Sequence, residues 1–208
     1  MLTPLGKITM GISERRLRQK SEVRSSILAT AWQIVREDGW QSLSIRKIAD
    51  AIEYSVPVVY DHFACKEAIL IEFAREGFRL LVKKMQGARS KHTDPAEQLK
   101  AMADAYWNFA FKNKEYYQVM FGLGIPCSEE ESCLPEKADF RDLVTKTIEA
   151  IVALHSQKVI NPCLKSHTFW SVMHGLISIK MMKTSDVSDE LNKLMLEDAV
   201  EGFIKNLS

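Results

Sequence analysis

Leu43-Ser-Ile-Arg-Lys-Ile-Ala-Asp-Ala-Ile-Glu-Tyr-Ser-Val-Pro-Val-Val-Tyr-Asp-His-Phe63 is the stretch whose reading decides the fold. Ile45, Ile48, Ala49 and Ile52 recur at helical spacing and give a short first helix one apolar stripe. Ser44 stands where a side-chain oxygen can cap that helix. Ser55 can cap a second one, with Pro57 in its opening turn, where a missing N–H costs little. Two helices this short cannot bury a core alone, but such a pair can push one helix end into a DNA major groove. The second helix offers Val56, Pro57 and Val58 to bases, then Tyr60 and His62. Apolar side chains meet thymine methyls but make no bidentate bonds to base edges, so Arg46 is the candidate for a polar base contact. Ser44, Tyr60, His62 and Lys66 suit phosphates, which set register rather than sequence, and Ser55 completes the candidate DNA-binding residues.

Outward from this pair, the chain reads as helical throughout. Only nine Gly and six Pro occur in 208 residues, and 46% of the residues are hydrophobic, enough for a sizeable core in one or two domains. The net charge of +1 conceals an asymmetry. Residues 1–91 hold sixteen Lys/Arg against ten Asp/Glu, whereas residues 92–208 hold twelve against seventeen. A basic first part is drawn to phosphates and an acidic remainder is not. No apolar run approaches the roughly 18 residues of a membrane span and no signal peptide opens the chain, so the expected place is the cytoplasm. Cys65, Cys127, Cys133 and Cys163 lack CxxC spacing, which makes free thiols the default. Cys127 and Cys133 flank three glutamates in an expected loop, and the spacing assigns that loop no role. No cofactor or metal is expected.

The organisation follows from breaks in the apolar period. Residues 1–20 lack one and end in Arg15-Arg16-Leu-Arg18-Gln-Lys20, a flexible basic arm. Residues 21–66 form the helix-turn-helix domain, whose first helix runs from about Ser21 to Gly39. Residues 67–91 are a connecting helix and residues 92–208 a second domain. Asp94-Pro95, Asn161-Pro162 and either Ser185 or Ser188 are helix openings with a capping side chain. The predicted fold is all-α: an N-terminal three-helix helix-turn-helix domain followed by a C-terminal helical domain for ligand binding and dimerisation.

In register, Gly39, Ser44, Arg46, Ile48, Ala49, Ser55, Tyr60, His62, Phe63, Lys66, Glu67 and Leu70 resemble the tetracycline-repressor (TetR) family of bacterial regulators over roughly Ile27 to Leu70. Two positions depart from its pattern. Glu53 stands in the turn where the family carries Gly, and Cys65 stands where it carries Ser, Asn or Gly. Phe169-Trp170-Ser-Val-Met-His174-Gly175 is similar to the Trp-x-x-x-His-Gly pattern of one C-terminal subclass. The resemblance implies a homodimeric repressor that a small molecule releases from a near-palindromic operator in duplex DNA. It also implies an effector pocket, for which Tyr106, Trp107, Phe111, Tyr117, Met120, Phe121, Trp170 and His174 are the candidates, with Gly175 allowing a close approach. The aromatic inventory points to an apolar or aromatic effector. Apolar residues on more than one face of the eighth and ninth helices mark those helices as the dimer interface. The alternatives are an activator, a ligand-independent DNA-binding protein, or an enzyme on a helical bundle. A di-metal bundle enzyme needs Glu-x-x-His, which occurs at none of the five histidines.

Overall fold

The computed structural model describes residues 11–122, 134–155, 160–182 and 187–207. The described residues form helices without strands, and the chain divides into two compact units, Met1–Leu70 and Ile71–Ser208. The Cys127–Cys133 stretch lies outside the described residues.

The first unit holds α1 (Ile12–Asp38), a single 3-10 turn at Trp40–Ser42, α2 (Ile45–Ala51) and α3 (Val56–Tyr60). Helix α1 starts nine residues before the expected Ser21, so the basic run Arg15–Lys20 lies on a helix and not in a flexible arm. The reason is local. Glu14 reaches back to accept the Gly11 N–H at 3.0 Å, and Arg18 pairs with Glu22 one turn on at 2.9 Å. At the other end Gly39 turns the chain at φ 78°, its N–H bonded to the Val35 carbonyl. The core gathers Ile27, Ala31 and Val35 of α1 against Trp40, Leu43, Ile48, Val59 and Phe63.

Helix α2 is capped as expected: the Ser44 hydroxyl oxygen accepts the Lys47 N–H at 3.2 Å. It ends on Glu53, the only described non-glycine residue with positive φ, at 58°. There the Tyr54 N–H bonds the Ala49 carbonyl at 3.0 Å and the Glu53 N–H bonds Asp50 at 3.3 Å, a Schellman termination. The family's turn is thus retained without its glycine, at a backbone cost of about 1–3 kcal/mol. Ser55 occupies the N-cap position of α3 but makes no side-chain capping bond. That short helix rests on Pro57 and on the burial of Val59.

Helix α4 (Lys66–Arg89) begins in the first unit and continues into the second. The second unit adds α5 (Pro95–Lys112), α6 (Lys114–Phe121), α7 (Pro135–His155), α8 (Pro162–Met181) and α9 (Asp189–Lys205). Asp94, Asn161 and Ser188 each cap their helix through the side chain, accepting backbone N–H groups at 3.0, 3.1 and 3.2 Å. The core runs through Phe78 and Leu81 of α4, Tyr106 and Phe109 of α5, Val144 and Ile148 of α7, and Phe169 and Met173 of α8. Gly77 matters here for its missing side chain. A Cβ at that position would stand 2.5 Å from Met120 Sδ and 3.3 Å from Tyr116, so α6 lies directly on the α4 backbone. Gly175 plays no such part within the chain: a Cβ there would meet nothing within 4 Å.

The last two helices bury less than their apolar content suggests. On α9, Leu196 and Val200 are buried, but Leu191, Leu194 and Met195 are 48, 59 and 40% exposed. On α8, Phe169, Met173 and Ile177 face the core while Leu164, Val172 and Ile179 face out.

Candidate functional site

The first unit presents a candidate nucleic-acid surface around α2 and α3. Arg46 and Lys47 on α2 and Ser55 and Pro57 at the start of α3 are exposed, and Val56 and Val58 are half-buried beside them. Tyr60 is 50% exposed, so its ring is not the anchor of α3; Val59 and Phe63, at 0 and 3% exposure, hold that role. Burying Val59 turns the preceding turn of this five-residue helix outward, where a duplex can meet it. Ser44 is committed to its cap, which still leaves hydroxyl lone pairs and the helix N-terminus facing solvent. Lys66 starts α4, half-buried.

Beside this surface lies a groove of about 310 Å³ lined by Leu17, Lys20, Ser21 and Arg24 of α1 with Asp61 and His62. The Arg24 guanidinium sits 4.8 Å above the Phe63 ring, which holds its charge at the groove wall. The His62 Nδ1 atom is buried and has no hydrogen-bond partner. Lys20 and Arg24 therefore join the candidate phosphate contacts. Sequence reasoning missed Arg24, whose position one turn after Lys20 was the available signal.

In the second unit a partly enclosed cavity of about 280 Å³ opens between α6, α7 and α8. Phe121, Phe140, Val144 and Trp170 form its apolar wall; Lys137, Arg141 and His167 stand around it, and the buried Ser166 contributes a hydroxyl. Behind the Phe121–Trp170 wall runs a chain of polar contacts. The Tyr106 and Tyr117 hydroxyls are 3.0 Å apart, Tyr117 Oη is 2.7 Å from His174 Nδ1, and His174 Nε2 is 3.4 Å from Ser178. Burial raises both tyrosines well above the ordinary phenol range, so both stay protonated. Burial also lowers His174 below its usual 6.5, favouring neutral imidazole. One direction satisfies every member: Tyr106 donates to Tyr117, Tyr117 to Nδ1, and Nε2–H to Ser178. The rings of Trp170 and Phe121 lie 5.5 and 5.1 Å from His174. The Trp170 N–H is buried and forms no hydrogen bond, though it lies close enough to Tyr106 to favour that oxygen's negative charge.

Known proteins share both halves. Residues 27–73 match the family described as bacterial regulatory proteins of the tetR family, and residues 99–201 match a tetracyclin repressor-like C-terminal domain. The chain belongs to the TetR family. The HTH-type transcriptional activator FasR of Mycolicibacterium smegmatis is 26% identical over 102 residues. That match covers 49% of this chain and 47% of FasR, so the chain spans about half the length of this relative. Among solved structures, the TetR family regulator PfmR of Thermus thermophilus superposes with a TM-score of 0.62 at 19% identity. It covers 86% of this chain and 97% of its own. The fatty acid degradation regulator FadR of Bacillus halodurans gives 0.65 at 17% identity, covering 87% of this chain and 94% of its own. These two likenesses concern the fold.

As a TetR-family transcriptional regulator, the protein is not an enzyme, and no described helix is long and apolar enough to cross a membrane. Within this TetR-family chain the eight expected effector residues separate into three groups. Phe121 and Trp170 line the cavity. Tyr106, Tyr117, Met120 and His174 pack behind that wall. Trp107 and Phe111 pack against each other elsewhere, tilted at 58° with ring centroids 4.9 Å apart, beneath the Lys180 ammonium. The α7 side of the cavity, Lys137, Phe140, Arg141 and Val144, was missed, because the aromatic count drew attention to α5 and α6.

Proposed function

We propose that this TetR-family regulator is a homodimeric repressor acting in the cytoplasm, released from a near-palindromic operator when a small molecule enters the α6–α7–α8 cavity. The observation that carries the reading is the exposed surface of Arg46, Ser55, Pro57 and Tyr60 on a capped α2 and a Val59-anchored α3. In this reading Arg46 contacts a base edge, with Val56, Pro57 and Val58 against thymine methyls. Ser44, Ser55, Tyr60, His62 and Lys66 then hold phosphates. Dimerisation is supported by Leu164, Val172 and Ile179 on α8 and Leu191, Leu194 and Met195 on α9, all between 40 and 62% exposed. A two-fold bundle of these helices would cover that apolar area, and a dimer that reads a near-palindrome needs its two copies of α3 about 34–36 Å apart, one duplex turn. Helix α4, continuous from one unit into the other, is the route from cavity to DNA. A coupling of about 1–3 kcal/mol would change operator affinity about 5–150-fold.

Gel-shift titration of the full chain against the DNA flanking its own gene tests the claim. Salt-sensitive binding by a dimer is expected; a species that sediments as a monomer and ignores every duplex at low salt would sink it. FasR is named an activator, which favours activation as the second reading. A promoter fusion with and without the protein separates the two.

A further inference from the structure

We infer that the α6–α7–α8 cavity takes an anionic amphiphile: an apolar chain seated against Phe140, Val144 and Trp170, with its acidic head held at the mouth by Lys137, Arg141 and His167. The inference rests on the reading of this cavity as the effector site and adds the chemistry of the ligand.

The charge of the lining carries it. Three of the ten lining residues are basic and none is acidic. Lys137 and Arg141 stand four apart on α7 and so share a face, with His167 opposite on α8. The acidic neighbours are turned to other uses. Glu136 Oε1 accepts from Arg79 at 2.7 Å, so its charge is matched away from Lys137. Asp142 lies 3.7 Å from Arg141, but that pair is exposed on both sides, and such pairs are weak enough to yield to a ligand. The remainder of the wall is apolar and largely buried: Leu134, Phe140 and Val144 are at most 7% exposed. Lys and Arg stems extend apolar walls while their heads stay in water, so one side chain can serve both halves of such a ligand. A carboxylate or phosphate satisfies the Arg141 fork, and the buried Ser166 hydroxyl can add a hydrogen bond. A cationic effector would meet like charge at the mouth, and a neutral one would gain nothing from it.

Isothermal titration of the full-length protein with decanoate, decanol and decyl phosphate tests this. At least one anion is expected to bind roughly tenfold or more tightly than decanol, and the stronger of the two identifies the head as carboxylate or phosphate. K137Q/R141Q should weaken the anion about tenfold or more and leave decanol unchanged. The charge-conserving K137R, which keeps the Arg141 fork, should retain most of the affinity, which separates charge from a folding defect. Equal binding of decanol and both anions, or anion binding indifferent to K137Q/R141Q, would overturn the head-group assignment while leaving the cavity as the effector site. Binding of every probe unchanged in V144W, which fills the cavity, would overturn the cavity reading as well.

Discussion

The two units hold their candidate functional groups in opposite ways. In the first, Arg46, Ser55 and Pro57 are exposed on or beside elements of seven and five residues, α2 forming on the Ser44 cap with Ile48 and Ala49 buried and α3 on Pro57 with Val59 buried. In the second, the cavity is assembled from three helices that are distant in sequence, and its aromatic wall is continuous with the core. A surface site of the first kind is fixed by local rules, so its residues can change with modest cost to the fold. A cavity of the second kind shares its side chains with packing, so a change in ligand response is also a change in stability.

This contrast can be broken by mutation. Arg46→Ala is expected to cost about 1–3 kcal/mol in operator affinity and to leave the melting temperature unchanged, because the side chain is exposed. Gel shifts paired with thermal unfolding check it; a lowered melting temperature would place Arg46 in the fold and not on the DNA face. In the second unit the expectation reverses. Tyr117→Phe removes the middle of the Tyr106–Tyr117–His174 chain and leaves a buried hydroxyl and Nδ1 unpaired, at about 1–3 kcal/mol of stability. Denaturant unfolding measures it, and a loss below about 0.5 kcal/mol would mean that the chain contributes little.

Glu53→Gly sharpens the comparison on the first unit's side. Glycine accepts φ 58° without a Cβ clash, and after the entropy it adds to the unfolded chain the net gain is about 0.5–1 kcal/mol. Glu53→Val should destabilise instead; equal stability of the two variants would show that the turn relaxes. The smallest effect is with pH. His174 is lowered by burial, so the folded chain binds its proton less readily than the unfolded chain does. Its contribution is complete above the unfolded value of 6.5 and is lost as pH falls through 6.5 and then through the lower folded value. Melting between pH 7.5 and 5 should show an acid loss attributable to His174 that is reduced in His174→Gln. Protonation would also turn Nδ1 into a donor and reverse the Tyr117 hydrogen bond, which leaves one of the two tyrosine hydroxyl protons without an acceptor within the chain of contacts.

How far each half could be read from sequence follows the same division. The caps at Ser44, Asp94 and Asn161 were legible because a side chain three residues from its partner is a local event, and of the two serines offered for α9 it is Ser188 that caps. The α2–α3 pair was legible for that reason and because its motif residues fall in register. The start of α1 was not, since Arg15 to Lys20 show no apolar period and are held by charge pairing. Nor was the basic mouth of the cavity. Lys137, Arg141 and His167 are ordinary surface residues until tertiary packing sets α7 against α8. Aromatic content located the core that backs the cavity, but it could not distinguish a ring facing empty space from one facing another ring.

Gly77 has one further consequence. Because no side chain at position 77 separates α4 from Met120 and Tyr116, α4 and α6 meet there on the adaptable Met120 thioether and the Tyr116 ring. Met120 adjoins Phe121, which is part of the cavity wall, so one methyl group inserted at position 77 would displace the Met120 side chain and through it bear on that wall before any guest has entered.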